Sequence, residues 1–279
     1  MGVVNITPDS FSDGGAFFDT DRAVEHALEL ACAGADIIDV GGESTRPGSL
    51  PVSAEEEARR VLPVIQRLKS KTGVLISVDT TKSSVARAAL DAGADIINDT
   101  SALRFDPAMP SVVASSGAAI VLMHMKGIPK TMQESPHYDD LLGEIRGFLR
   151  DRLQEAVAAG IAEERIIVDP GIGFGKTLDH NLTLLNRLDT FQDLGRPVCA
   201  GFSRKAFIGR VLGLPPEERL EGTLAAAVLC VSRGAQILRV HDVAAVSKAV
   251  RLAEAILGAD GDPSQRDHGQ AEGKGRHAH

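Results

Sequence analysis

The sequence predicts an α/β chain closed into a single (β/α)8 TIM barrel, and three observations carry that expectation. One phrase recurs, a helix tail ending at a glycine and then a short apolar strand: AGADIIDV (33–40), AGADIIND (92–99), SGAAIVLMH (116–124) and RGAQILRVHD (233–242). Further Ile/Val-rich runs bring the strand count to eight, with helical patterns between them. The repeats fill residues 1–257 of 279, the usual size of one such barrel. A doubly wound open sheet uses the same alternation, but eight even repeats favour closure.

The elements follow in order. MGVVN opens the chain as the first strand, and Val24, Ala27, Leu28 and Ala31 then keep helical spacing. Strand two lies in 33–40, where glycine at the preceding helix end frees the chain to turn. Ala58, Val61, Leu62, Ile65 and Leu68 mark the second helix, which Ser53 and Glu56 open as a capping box. GVLISVDT (73–80), the strands in 92–99 and 116–124, RIIVDPG (165–171) and RPVCAGFS (196–203) continue the series. Such runs suit a parallel sheet covered on both faces. The eighth strand lies in 233–242, and Val243, Val246, Val250, Ala253 and Leu257 build the last helix. Residues 258–279 hold almost no large apolar side chain, so this tail is expected to be disordered.

Composition narrows the function. A hydrophobic content of 43% and a charged content of 24% suit a soluble globular domain with a sizeable core. The formal net charge of −8 argues against a nucleic-acid-binding surface. No apolar run reaches transmembrane length and no signal-like segment opens the chain, so a cytoplasmic protein is expected, with no membrane partner. Cys32, Cys199 and Cys230 lie far apart without a C-x-x-C pair and read as reduced, mostly buried thiols.

The stretch DPGIGFGKT (169–177) invites a phosphate-loop reading and fails it. Pro170 stands where a P-loop needs its first glycine, and Gly171, Gly173 and Gly175 do not give the dinucleotide spacing. The strand ends are more informative, because barrel chemistry gathers there. In order they carry Asn5, Asp39, Asp79, Asn98, His124, Asp169, Ser203 with Lys205, and Arg239 with His241. Any one acid could be a helix cap, but capping does not call for a mixed ring of acids, amides and bases. Asp79, Asn98 and Asp169 suit a neutral, donor-rich heterocycle, since a carboxylate accepts two parallel N–H bonds. Arg239, His241, Arg46 and Asn5 suit an anion such as a phosphate. Arg239 and His241, two apart, are expected on one side of their strand, the competing role being an ion pair with Asp242 or Asp36. Two βα loops, 7–15 and 41–51, are long and rich in Gly, Pro and Ser, the composition of mobile lids.

Eight segments taken together resemble one family. NITPDSFSDGG, DVGGESTRPG, SVDTTK, IINDTSA, VLMHMKGIPKTMQ, DPGIGFGKTLDHN, GFSRKAFIG and RVHDV, in register over residues 1–257, are similar to the dihydropteroate synthases of folate biosynthesis. That resemblance implies a transferase joining p-aminobenzoate to 6-hydroxymethyl-7,8-dihydropterin diphosphate with release of pyrophosphate. It also implies Mg²⁺, a homodimer and a target of sulfonamides. By resemblance, Asp79, Asn98 and Asp169 hold the pterin edge, with Lys205 on its carbonyl oxygen and ring nitrogen. Thr45, Arg46, Arg239 and His241 hold the diphosphate, with Asn5 as the protein contact of the metal. Phe11, Thr45, Pro47, Phe174 and Ser203 shape the p-aminobenzoate pocket. Lys205, Arg239, Asp79 and Asp169 are the residues expected to carry catalysis. Two departures stand out: relatives usually have a short lead-in before the position of Met1, and NDTSALRFDP replaces the more usual NDVSGG pattern. Two rivals use the same pterin contacts. Corrinoid methyltransferases have no need of the STRPG and SRK segments, which are intact here, and a non-catalytic pterin-binding paralogue would be expected to lose loop residues first.

Overall fold

A computed structural model describes residues 1–6, 16–44 and 49–260. Phe11, Thr45, Arg46 and Pro47 lie outside the described residues, as do loop 7–15, the centre of loop 41–51 and the tail from 261.

Among the described residues eight parallel strands alternate with helices: β1 (Gly2–Asn5), α1 (Ala16–Cys32), β2 (Ile37–Gly41), α2 (Ala54–Lys71), β3 (Leu75–Asp79), α3 (Ser83–Asp91), β4 (Ile96–Asp99), α4 (Met109–Ser116) and β5 (Ala119–Met123). The second half adds α5 (Leu141–Ala158), β6 (Ile166–Asp169), α6 (Leu178–Asn186), β7 (Cys199–Gly201), α7 (Ala206–Leu212), α8 (Leu220–Ser232), β8 (Ile237–Arg239) and α9 (Val243–Leu257). Strands β1 to β6 form one sheet in sequence order and β7 pairs with β8. Two parallel bridges join these pieces, Val168 with Val198 and Gly2 with Val240. At the second join Val3 N donates to Val240 O at 3.1 Å and Val240 N to Met1 O at 3.0 Å. The sheet therefore closes on itself, as expected of the barrel and not of the doubly wound sheet.

The barrel interior shows why a site forms at one end. Ile37, Ile96, Val121, Ile167 and Cys199 pack together as an apolar cluster, with Ile237 against it. Side chains alternate along a strand, so the next inward position is two residues on. Those positions are Asp39, Asn98, Met123, Asp169, Gly201 and Arg239. An apolar floor thus carries a largely polar layer, set at the C-terminal ends of the strands.

Several local expectations are refined. Ser53 caps α2 by accepting from Glu56 N at 3.2 Å. The Glu56 carboxylate is taken by Arg59 and Arg60, and a full capping box occurs instead at Thr177 and His180 on α6. The helix α9 ends at Leu257, and one 3-10 turn follows over Gly258–Asp260, so the first three residues of the expected tail are ordered. The departure after β4 has a backbone signature. Ala102 and Leu103, standing where the usual pattern has two glycines, adopt φ of 52° and 66°, a left-handed conformation costing about 1–2 kcal/mol per non-glycine residue. The buried Asp99 carboxylate holds them there, accepting from Ser101 N at 2.8 Å, Ser101 Oγ at 2.7 Å and Leu103 N at 2.8 Å.

Candidate active site

Asp39 is the hub of the barrel mouth. It is 0% exposed, and its Oδ1 accepts from Ser77 Oγ at 2.5 Å. Its Oδ2 accepts from Arg239 Nε at 2.6 Å and from Asn98 Nδ2 at 3.2 Å. Arg239 Nη2 also donates to Asp79 Oδ2 at 2.9 Å. The competing role foreseen for Arg239, an ion pair with Asp242 or Asp36, is thus realised with two other acids, because a strand-8 side chain pointing inward reaches across the barrel. The pairing also settles Asn98: with its NH₂ given to Asp39, its carbonyl oxygen is the end turned elsewhere.

Charge is tightly balanced in this layer. Burial pushes the Asp79 carboxyl up to about 7, with the neighbouring Asp39 adding to the rise and Arg239 opposing it. Burial likewise raises Asp169, against the Gly171 amide and the Lys205 ammonium. Arg239 stays charged, since the two aspartates outweigh its desolvation.

The turn after β6 answers the glycine question raised by the sequence. Asp169 Oδ1 accepts from Gly171 N at 2.7 Å, which sends the chain sharply away from the strand end. Gly171 has φ of 70°, and a Cβ there would lie 1.8 Å from His124 O, so no other residue fits. A Cβ on Gly173 would press on Lys205 Cδ at 3.0 Å, so its absence makes room for that side chain. Lys205 Nζ donates to Ile172 O and stands 4.5 Å from the centre of the Phe174 ring. Burial lowers its ammonium to about 8, with Asp169 opposing the fall. The turn is therefore a platform for a lysine and a phenyl ring.

His124 does not join the polar ring. It follows β5 and packs edge-on against Phe148 at 4.9 Å, while its Nδ1 pairs with Lys176 Nζ at 3.0 Å. Burial and that lysine hold the imidazole down to about 2, so it is neutral. Lys176 also donates to Phe174 O at 3.0 Å, tying the turn to β5. β8 ends at Arg239, with Val240 bridged to Gly2, so His241 lies just beyond the strand. His241 N donates to Ser203 Oγ at 3.2 Å, and its Nδ1 lies 3.1 Å from the same oxygen. Asn5 closes β1 opposite Gly41, and its Oδ1 is the atom nearest a Cβ built on that glycine, at 3.5 Å.

The structure thus gathers Asn5, Asp79, Asn98, Asp169, Ser203, Lys205, Arg239, His241 and Phe174 around one end of the barrel. Sequence reasoning left out Asp39 as a site residue, although its place two positions beyond the interior residue Ile37 marks it as inward-facing. It left out Lys176 too, which links Phe174, two residues before it, to His124, 52 residues before it. Among the described residues no three His, Cys, Asp or Glu side chains converge on a metal position, and no helix is long and apolar enough to cross a membrane.

Comparison with known proteins agrees with this geometry. Residues 1–241 match the family model described as pterin binding enzyme. The dihydropteroate synthase of Escherichia coli K12 is 49% identical over 259 residues, covering 93% of this chain and 92% of the relative. The crystal structure of the Yersinia pestis dihydropteroate synthase in complex with a sulfonamide drug superposes with a TM-score of 0.89 at 46% identity, covering 93% of this chain and 94% of that one. The Xanthomonas albilineans dihydropteroate synthase in complex with 7,8-dihydropteroate gives 0.84 at 47% identity, with 92% of each chain covered.

Proposed function

The chain belongs to the pterin-binding enzymes, among the dihydropteroate synthases, and on that premise we propose how its barrel mouth divides the work of the reaction. The enzyme condenses 6-hydroxymethyl-7,8-dihydropterin diphosphate with p-aminobenzoate, giving 7,8-dihydropteroate and pyrophosphate. It is a transferase of folate biosynthesis and a sulfonamide target, in line with its drug-bound relative.

The observation that carries the assignment of roles is the Asp39–Arg239–Asp79 bridge, which splits the mouth into an acidic and a basic side. On the acidic side, Asp79, Asp169 and the Asn98 carbonyl present acceptors to the ring N–H and amino group of the pterin. Lys205 donates to the pterin carbonyl oxygen and ring nitrogen. On the basic side, Arg239 has Nη1 beyond the two nitrogens engaged by the aspartates, and with His241, Thr45 and Arg46 it takes the diphosphate. The Phe174 ring and the Ser203 hydroxyl, with Phe11, Thr45 and Pro47, bound the p-aminobenzoate position.

The exocyclic C–O bond breaks toward the diphosphate, the electron-rich dihydropterin carries the resulting cation, and the aniline nitrogen captures it. Preorganised cations opposite the leaving group lower that barrier. Ser203, already bonded to His241, is not needed as a nucleophile. A Mg²⁺ ion fits here as one carried mainly by substrate oxygens: Asn5 offers a single hard oxygen, and the nearby Asp39 and Asp79 are occupied by Arg239. Bound there, it would neutralise charge developing on the diphosphate.

Exposed apolar side chains on three successive helices, Val211 and Leu212 on α7, Leu229 on α8, Leu252 and Ile256 on α9, support a homodimer through that side. Three free cysteines, two of them buried, fit a cytoplasmic setting. Steady-state pyrophosphate release tests the whole reading. Turnover that needs both the pterin diphosphate and p-aminobenzoate supports it, and methyl transfer from methyltetrahydrofolate in its place would overturn it.

A further inference from the structure

Arg204 lies between two site residues, Ser203 and Lys205, and its backbone is left-handed, with φ of 57°. A long branched-headed side chain gains nothing from that conformation, so the surroundings must impose it. They do so at the backbone N–H, the carbonyl and the guanidinium. Arg204 N donates to the buried Thr223 Oγ1 at 3.1 Å, and Arg219 Nη1 donates to Arg204 O at 3.0 Å. The guanidinium makes a two-pronged contact with Asp242, Nε to Oδ2 at 2.8 Å and Nη2 to Oδ1.

Asp242 is equally informative. It stands at the N-cap of α9, where an aspartate ordinarily accepts from its own helix, yet its side chain makes no such bond. Both of its oxygens face Arg204. The pair is 44% exposed on the arginine side and 18% on the aspartate side, so it contributes little to overall stability. What it does is geometric. It fastens the loop after β7 to the loop after β8, beside the parallel Ser203–His241 contact.

We propose that the Arg204–Asp242 pair is a positioning clip for the reaction. It holds the strained Ser203–Lys205 segment against His241 and so fixes the separation between the lysine on the pterin and the groups on the diphosphate. The inference rests on the assignment of Lys205 and His241 given above. Without the clip, the segment is held only by the Thr223 and Arg219 bonds to the Arg204 backbone, and Lys205 loses its fixed distance from His241. Bond cleavage needs the pterin carbon and the leaving group held together, and a misplacement of about 1 Å is enough to cost on the order of 100-fold in rate.

The test compares Arg204→Met, Asp242→Asn and the double variant, with kcat, KM for each substrate and the thermal midpoint measured on the full chain. The expected result is a kcat lowered by about 10- to 100-fold in each single variant, KM values within about threefold, and an unshifted thermal midpoint. The double variant should be no slower than the slower single, because both remove one contact. A kcat within twofold of the parent in both singles, or losses that multiply in the double, overturns the proposal. So does a loss confined to a lowered midpoint. Lys205→Met serves as the separate check on the underlying assignment: if it keeps full activity, that assignment fails, whereas its loss beside an active Arg204→Met removes the clip alone.

Discussion

Replacing Asp169 by asparagine separates a substrate-binding acid from a turn residue. In the folded chain the two carboxylate oxygens have different duties: Oδ1 accepts from Gly171 N at 2.7 Å, and Oδ2 is left for the barrel mouth. An asparagine can keep the first bond only by placing its own oxygen at the Gly171 amide, which sends its NH₂ toward the pterin. In the proposed assignment the pterin edge presents donors there, so a donor would meet a donor and one buried N–H would go unpaired. That arrangement costs about 2–4 kcal/mol, a charge-assisted bond lost and a polar group left unsatisfied, equivalent to about 30- to 1000-fold in Kd.

Stability should move the other way or not at all. The turn bond survives, and burial already raises the Asp169 carboxyl above its ordinary range, so the native state gains nothing from the charge itself. Calorimetric titration with the pterin diphosphate and a thermal scan on Asp169→Asn decide the matter. A Kd within threefold of the parent, together with a midpoint lowered by several degrees, would refute the reasoning, since that is what loss of a simple turn bond predicts.

Other outcomes follow from the same layer. Arg239→Ala leaves two buried aspartates without their cation, and a loss of about 3–5 kcal/mol in urea unfolding is expected, along with at least ~2 kcal/mol of pyrophosphate affinity in the presence of Mg²⁺; unchanged pyrophosphate binding would remove Arg239 from the diphosphate site. The pH profile of kcat/KM should be bell-shaped: the Asp79 carboxyl at about 7 must be ionised to accept from the pterin, giving a rise through that pH, and Lys205 at about 8 must keep its proton, giving the fall. Because Asp79 and Asp39 share Arg239, the lower limb belongs to the cluster, and a profile flat from pH 6 to 9 contradicts it. Ala102→Gly should be nearly neutral in stability, since relief of about 1–2 kcal/mol of left-handed strain offsets the added chain entropy and one lost methyl, about 0.5–1 and 0.8 kcal/mol. The same change at Ala86, buried in α3, should cost about 2 kcal/mol, so equal losses at the two positions would remove the strain argument.

The repeat of glycine, alanine and a short apolar run was enough to give eight strands in order, because parallel strands buried on both faces leave a continuous hydrophobic trace. Boundaries were less legible. Asp39 read as a strand end, whereas β2 continues to Gly41, since a glycine gives no sign of belonging to a strand. That shift hid the hub, a residue recognisable only once the inward period from Ile37 is fixed. Arg239 was found as a site cation, but its partners lie 200 and 160 residues away in sequence. Closure of the barrel, not local pattern, brings them together. The turn after β6 shows the opposite limit: Pro170 and three spaced glycines ruled out a phosphate loop from sequence alone, yet only the approach of His124 O explains why Gly171 must be glycine.

The layer's charge explains how one mouth can bind a neutral heterocycle and a diphosphate. Asp39, Asp79 and Asp169 supply three carboxylates against the two cations Arg239 and Lys205. Burial raises the carboxyls of Asp79 and Asp169, and at Asp79 the neighbouring Asp39 adds to the rise. A ligand edge rich in N–H donors relieves the imbalance by hydrogen bonding, without importing another charge. A diphosphate would aggravate it. In the proposed assignment the anion lies on the far side of Arg239, where His241, the β2–α2 loop and a divalent ion brought by the substrate would add positive charge. On that assignment the guanidinium that pairs with Asp39 and Asp79 would also set the boundary at which the C–O bond breaks. Fixing that boundary requires the loops after β7 and β8 to keep a constant separation, and the strained residue between Ser203 and Lys205 is where the fold enforces it.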